Sequence, residues 1–382
     1  MSRVEVLENG PYVARVEVVS LRTAAAAAGG NYAWCPAEKK IFNIFDRQFI
    51  DRSRNIEVAM FNEVDVIPGA MWKICLNHQL YVEELGYSDH NKLYGIECFN
   101  DWDGRRVVRV QSDLMSVPDV PDGAILLGCD PAHYHFILNW LPKLRSIDLI
   151  EKTFGKQKEL HFVMSDRIAD HYYKLFDLIL DRPYKITKIP ESGVWRFHNL
   201  IVPNYFSSNE LHAGIAEWYR EKLNIGRGPG RRRLYLSRKD AWTSGVPRRK
   251  VVNEGEVVSE LEKFGFLPVL LDGMDIQQQI ELFSDVEFVV GPHGGAFANM
   301  QFTPAGAKAL VLENEWTHDF MVDMLTVAGH RAAKLVCKDN IDLAYEKDFI
   351  VDGVVEPEIR RSRDMLVDIN ALLEGVRQLE RV

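Results

Sequence analysis

The chain has 382 residues, more than one hydrophobic core normally serves, so two domains are the first expectation. With 47% hydrophobic and 26% charged residues it has the composition of an ordinary globular protein, which excludes a disordered or fibrous chain. A net charge of −9 argues against a general nucleic-acid binder, which carries a broad basic face, although a local basic cluster can still hold a small anion.

The N-terminal third reads as short strands and loops, for example Val13–Leu21 and Arg106–Gln111. Turn signals stand at Gly69, Gly86 and Asp103-Gly104. From Ala132 to Glu151 apolar residues recur near helical spacing (Phe136, Leu138, Leu141, Leu144, Ile147, Leu149), with Pro142 kinking or starting part of the helix. Strand-like and helix-like segments then alternate: Leu160–Met164, Ile168–Leu180, Tyr184–Ile189 and Leu200–Val202. Asn209–Leu223 reads as a helix with Asn209 as a cap, and Asn224–Arg231, rich in Gly and Pro, is the best hinge.

Beyond the hinge the alternation becomes regular. Strands are expected at Arg233–Ser237, Leu267–Leu271, Val286–Val290, Lys308–Leu312 and Ala333–Val336. Helices are expected at Glu254–Phe264, Ile276–Phe283, Ala296–Gln301 and His318–Ala328, with one long helix from Pro357 to the end. Continuous apolar strands separated by amphipathic helices imply a parallel sheet covered on both faces. The reading is therefore an α/β protein of two facing Rossmann-like domains: 1–223, a hinge at 224–232, 233–356, and a closing helix over 357–382. Ligands of open parallel sheets bind outside the carboxyl ends of the strands, which directs attention to the residues after Val290 and Leu312.

Five cysteines (Cys35, Cys75, Cys98, Cys129, Cys337) are dispersed with no CxxC pair, as expected of reduced thiols rather than a disulfide framework or a zinc site. The opening Met1-Ser2-Arg3-Val4-Glu5 lacks the apolar run of a signal peptide, and Ala24–Gly30 is too short to span a bilayer. A cytoplasmic protein is expected, with peripheral attachment at an inner membrane left open.

Four groups of residues invite chemistry. In Gly291-Pro292-His293-Gly294-Gly295-Ala296-Phe297-Ala298-Asn299, a glycine-rich turn joins a buried strand to a helix, whose N-terminal N–H groups and dipole suit a phosphate. His293 could donate to a phosphate or ribose oxygen; the plainer alternative is a tight turn. Between Gly226 and Lys250 stand nine cations (Arg227, Arg231, Arg232, Arg233, Arg238, Lys239, Arg248, Arg249, Lys250) against one acid, Asp240. Such a run is usually a solvated face, but Ser237-Arg238 at a strand's end suits a diphosphate whose charge grows as a bond to it breaks. His133 and His135 lie at a loop–helix junction, where a histidine can serve as a base or simply pack; a metal would need a third ligand and none is evident. Asn253 and Glu254 open a helix towards the same crevice and are equally good as capping residues. A DxD triplet, Asp101-Trp102-Asp103, runs into Gly104 and reads as a turn rather than a metal site.

This constellation resembles glycosyltransferase family 61. The likeness rests on Tyr235-Leu236-Ser237-Arg238, Asn253-Glu254 and Phe283–Glu313, above all Gly291–Asn299 followed by Phe302, with a weaker match at His135-Phe136 and Leu141-Pro142. The resemblance implies a GT-B architecture, transfer with inversion, no obligatory metal or other cofactor, and a nucleotide-sugar donor. It places the donor against Ser237, Arg238, Asn253, Glu254, His293, Gly294, Gly295 and Asn299. The expected acceptor is a glycan or glycolipid of a surface polysaccharide or lipopolysaccharide, on the side of the first domain. An acid often lies four positions after the motif histidine, and here that position is Asn139, so His135, His133 or another group must act as base. A non-catalytic nucleotide- or phosphate-binding protein of the same fold is the alternative. A dinucleotide oxidoreductase is disfavoured, because GPHGGA lies far inside the chain and is not GxGxxG after a first strand.

Overall fold

The computed structural model describes residues 12–17, 21–27, 29–35, 41–44, 47–50, 55–68, 73–76, 79–81, 96–100, 106–110, 114–116, 120–128, 131–190, 193–204, 213–226, 228–239, 249–316, 319–351 and 353–381. The turn signals at Gly69, Gly86 and Asp103-Gly104, the DxD triplet, the cap at Asn209, and Arg227 and Arg248 of the basic run lie outside them. The chain divides into two units, one of residues 1–38, 54–170 and 180–208, the other of 39–53, 171–179 and 209–382. The hinge segment and the helix Ala213–Lys222 thus belong to the second unit.

In the first unit the described strands form a mixed twelve-stranded sheet. One end is parallel: Ile125–Leu126 lies between Leu160–Ser165 and Val194–Pro203, and Tyr184–Ile189 flanks Leu160–Ser165. The long strand Ile56–Ile67 pairs antiparallel with Val194–Pro203 and leads into the remaining, mostly antiparallel strands. The sheet is thus Rossmann-like only at its parallel end. Where the sequence predicts a strand over Val13–Leu21, the structure has a strand, Tyr12–Glu17, and a helix, Leu21–Ala27.

The helical stretch after Ala132 is not uniform. One α turn, His133–His135, passes into a π turn, Phe136–Trp140, then a 3-10 segment, Leu141–Ser146, and the α-helix Ile147–Phe154. Pro142 has no N–H to give the ladder. Immediately before it, the Leu141 N–H reaches back five residues to the Phe136 carbonyl, the bond that defines a π turn.

The second unit holds a five-stranded, fully parallel sheet. Its strands in chain order are Arg232–Leu236, Phe266–Val269, Val286–Pro292, Lys308–Glu313 and Arg331–Val336, and their spatial order is second, first, third, fourth, fifth. This doubly wound order reverses direction between the first and third strands. Burial explains the apolar runs: Phe288, Val289 and Val290 are all fully enclosed, as are Ala309, Val311 and Leu312. One face packs against Glu254–Glu262 and the C-terminal helix Ile369–Arg381, whose stripe Leu372, Val376 and Leu379 joins Phe288, Val290, Leu310 and Leu312 in one core.

The segment from Pro357 is not one helix. It breaks into Pro357–Arg361, a strand Asp364–Leu366 and Ile369–Arg381. Around the break the burial has the period of a strand, with Met365 and Val367 enclosed and Leu366 exposed. The strand pairs antiparallel with Lys338–Asn340, and the Met365 N–H donates to the Lys250 carbonyl. These partners are distant in sequence, so helical propensity yields to them.

Candidate functional site

The site is built where the sheet of the second unit changes direction. Carboxyl ends of the first and third strands diverge there, leaving a crevice between two loops. The first strand delivers Ser237 and Arg238, and the third delivers His293, Gly294 and Gly295. Arg238 Nη1 donates to the His293 carbonyl at 3.0 Å. The guanidinium lies across Gly294: a Cβ built there would overlap Nη1 and stand 3.3 Å from Cζ. Gly294 has φ 171°, extended backbone open to any residue, so the glycine is required by the arginine and not by chain strain. Gly291, in the third strand, is likewise a close approach, since a Cβ there would come within 2.8 Å of Leu236 Cβ. Gly295 opens the 3-10 helix Gly295–Phe302, whose first N–H groups have no partner within the helix.

His293 is fixed from two sides. Its N–H donates to the Leu312 carbonyl at 2.9 Å, and its ring Nδ1 is 3.1 Å from Glu313 Oε1. Glu313 closes the fourth strand with its side chain wholly buried, and its Oε2 has no hydrogen-bond partner. The sequence reading named no role for Glu313. The signal was available: it is the first charged residue after Ala309-Leu310-Val311-Leu312, at the carboxyl end of a buried parallel strand.

The other residues expected at the donor are placed unevenly. Ser237 Oγ accepts from the Lys239 N–H at 3.3 Å, beside Arg238. Glu254 is buried, accepts from the Tyr235 hydroxyl at 3.2 Å and has Lys239 Nζ at 3.8 Å, a small cluster joined to the loop that carries Arg238. Burial and the adjacent Glu254 carboxylate hold the Tyr235 phenol well above its usual range. Asn253 does not cap its helix through its side chain. Its amide instead brackets Val367, donating to the Val367 carbonyl at 2.9 Å and accepting the Val367 N–H at 3.0 Å. Asn299 is fully buried and donates to Gln279 Oε1 at 2.9 Å, which ties the 3-10 helix to the helix Ile276–Phe283. Its polar side chain therefore faces the interior rather than the crevice.

The basic run separates into parts. Arg231 and Arg232 lie 3.1 and 3.7 Å from Asp285, and Arg233 bridges Glu287 and Glu380 at 3.1 and 2.6 Å. Lys250 is 3.7 Å from Asp364. These are scaffold ion pairs, whereas Arg238, on the loop after the first strand, reaches the glycine-rich turn of the third. Among the described residues no group of three or more His, Cys, Asp or Glu side chains is placed to hold a metal ion.

In the first unit His135 and Asn139 meet across one helical turn, His135 Nδ1 lying 2.8 Å from Asn139 Oδ1. An amide oxygen only accepts, so this contact puts the ring proton on Nδ1 and leaves Nε2 with the lone pair of a base. Asn139 is buried inside the π turn, a feature that frequently marks functional sites. It supplies the orienting acceptor without the carboxylate that the family resemblance led one to expect. His133 is half-buried on the same short helix.

Together the two sheets define a mixed α/β protein whose second, parallel sheet is Rossmann-like, with Arg238 and the glycine-rich turn at its switch point. The family model described as Glycosyltransferase 61 matches residues 133–310, from the His133 turn to the fourth strand of the second sheet. Over these residues the chain is similar to glycosyltransferase family 61, a family that implies glycosyltransferase activity with a sugar donor and an acceptor. No curated protein matches the chain. Among the described residues no helix is long and apolar enough to cross a membrane.

Proposed function

We propose that the chain is an inverting, metal-independent glycosyltransferase of the GT-B class. It moves a sugar from a nucleotide-sugar donor to a hydroxyl of a glycan or glycolipid, in the synthesis of a surface polysaccharide or lipopolysaccharide. The observation that carries this reading is the Arg238 guanidinium laid over Gly294 at the switch point, within the region matched by the family model. In this reading Arg238, His293 and the N–H groups opening the 3-10 helix hold the donor diphosphate, with Ser237, Gly294 and Gly295 shaping its bed. Glu254 sets the loop through Tyr235 and Lys239, while Asn253 and Asn299 act by holding the scaffold. Charge grows on the diphosphate as the bond to the sugar breaks, and fixed positive groups at that point lower the barrier.

The acceptor belongs to the first unit, where His135 Nε2 takes the hydroxyl proton and Asn139 holds the ring in the right tautomer. His133 is the second base candidate. The protein works in the cytoplasm, with peripheral contact at the inner membrane where a lipid-linked acceptor would be met. Calorimetric titration with UDP, GDP, CMP and dTDP, with and without Mg²⁺ and Mn²⁺, tests the donor half. One nucleotide should bind selectively without metal and lose most of its affinity in Arg238→Ala; equal affinity in that variant would sink the assignment. Loss of turnover by about 100-fold or more in His135→Ala, with donor affinity kept, tests the base.

A further inference from the structure

Just past the fourth strand of the second sheet, an exposed tryptophan stands on a rigid polar mount. Trp316 follows Glu313, the last residue of that strand, by three positions, a reach of at most about 11 Å. The strand end lies beside the glycine-rich turn, where the His293 N–H donates to the Leu312 carbonyl, so Trp316 leaves the same carboxyl edge of the sheet. Its side chain is 46% exposed. A single exposed aromatic is ordinary. This one differs in how it is held. The buried Asn314 amide accepts the Trp316 N–H at 3.1 Å and donates to the Arg360 and Arg361 carbonyls at 3.1 and 3.0 Å. The Glu315 N–H donates to Asp339 Oδ1 at 2.9 Å, and Arg363 in turn bridges Asp339 and Glu346. Residues 314–316 are thereby fastened to the helix Pro357–Arg361 through satisfied, buried polar groups, which rigidify what they join.

This fastening brings the Arg360 guanidinium over the Trp316 ring, 4.2 Å from its centroid. Arg231, Arg233 and Arg363 are engaged in ion pairs. Among the described residues the Arg360 guanidinium has no hydrogen-bond or ion-pair partner, and neither has the Trp316 indole N–H. One face of the indole is covered by the guanidinium, so its exposure falls on the other face and the N–H edge. A flat apolar plate beside unengaged donors complements a ligand with a C–H face and a rim of oxygen acceptors. A sugar ring has both: its weakly positive C–H bonds meet the negative face of the aromatic ring, and its hydroxyl oxygens accept from the N–H groups. A free phosphate would leave the indole unused, and a wholly apolar partner would strand the guanidinium donors. We propose that Trp316 and Arg360 form a sugar-binding platform, with the ring of the sugar on the open indole face and its hydroxyls on the guanidinium. This inference rests on the glycosyltransferase reading above and deepens it by giving a sugar ring its seat. Two sugars share the required chemistry, the one carried by the donor and one of the acceptor glycan.

The test compares wild type, Trp316→Ala, Trp316→Phe and Arg360→Ala as full chains with two sets of probes. One set is UDP-glucose, UDP-N-acetylglucosamine, UDP-xylose, GDP-mannose and dTDP-rhamnose, each titrated calorimetrically beside its bare nucleoside diphosphate. The other is an array of neutral and acidic oligosaccharides. If the donor's sugar occupies the platform, Trp316→Ala binds the nucleotide sugar about tenfold more weakly and the bare diphosphate unchanged. If an acceptor sugar does, nucleotide sugars bind as to wild type and array binding falls about tenfold instead. Trp316→Phe should keep part of the affinity in either case. Arg360→Ala should lose several-fold, and it reads the same contact should Trp316→Ala fail to fold. Wild-type affinity for both probe sets in Trp316→Ala and Arg360→Ala overturns the proposal. So does a wild type that binds no oligosaccharide and holds nucleotide sugars no better than bare diphosphates. Array binding that depends on Trp316, with no nucleotide bound by wild type, overturns the donor reading and keeps the platform. Nucleotide affinity that depends on Arg238, with every sugar indifferent to Trp316 and Arg360, does the reverse.

Discussion

Gly294→Ala isolates the guanidinium at the switch point better than removal of the arginine does. The backbone at 294 is extended and admits alanine without strain, and the nearest obstacle is the far end of the flexible Arg238 side chain. Ordinary carbon contacts are about 3.5–4 Å, so Nη1 must retreat by about 1 Å or more, and its 3.0 Å bond to the His293 carbonyl is broken or bent. Stability should change little, by about 1 kcal/mol at most, because the loss is one part-buried hydrogen bond. Donor binding should suffer more, since a misplacement of about 1 Å in a charge clamp costs up to about 100-fold. Calorimetric titration of nucleoside diphosphate into wild type, Gly294→Ala, Arg238→Ala and the double variant measures both effects. If alanine acts through the guanidinium, the double variant binds like Arg238→Ala alone. Additive losses, or wild-type affinity in Gly294→Ala, would refute the reasoning.

Other predictions concern the scaffold and the first unit. His330 is buried, with Nε2 donating to the Met300 carbonyl at 2.8 Å and the Arg220 guanidinium alongside; burial first, then that charge, lowers its pKa to about 3. The unfolded chain takes up this proton below about pH 6.5 while the folded protein refuses it, so stability falls as pH drops from there towards 3, by about 2 kcal/mol between pH 7.5 and 5. Urea midpoints across that range should show a shallower acid loss in His330→Gln, and an equal slope would discredit the assignment. Asn139→Ala should lower turnover by about 10- to 100-fold, while Asn139→Asp, which keeps an acceptor for His135 Nδ1, should retain most of it; release of nucleoside diphosphate under saturating donor is the assay. Asn253→Ala removes both bonds to Val367 and should cost about 1–3 kcal/mol in thermal unfolding with nucleotide affinity unchanged. A selective loss of affinity would return Asn253 to the donor site.

What the sequence determined by itself was the regular part. The helix Ile276–Phe283 and the first unit's strand Tyr184–Ile189 have the bounds their periodicity predicts, and the strands of the second sheet lie within a few residues of expectation. Parallel strands buried on both faces must be continuously apolar, a local constraint legible in a short window. The position of Arg238 and of the glycine-rich turn, each directly after one of these strands, was legible for the same reason. The tertiary structure decided which residues meet. Spatial strand order placed the first strand beside the third, bringing Arg238 onto Gly294, 56 positions apart in number. It set Glu313 behind His293 from a neighbouring strand, and it drew Asn253 to Val367 and Asn299 to Gln279 although both asparagines looked like ligand-facing residues. It also broke the C-terminal helix, because pairing of Asp364–Leu366 with Lys338–Asn340 depends on a partner that no local window contains. Periodicity records which way a residue faces; only the packed chain fixes what stands opposite it.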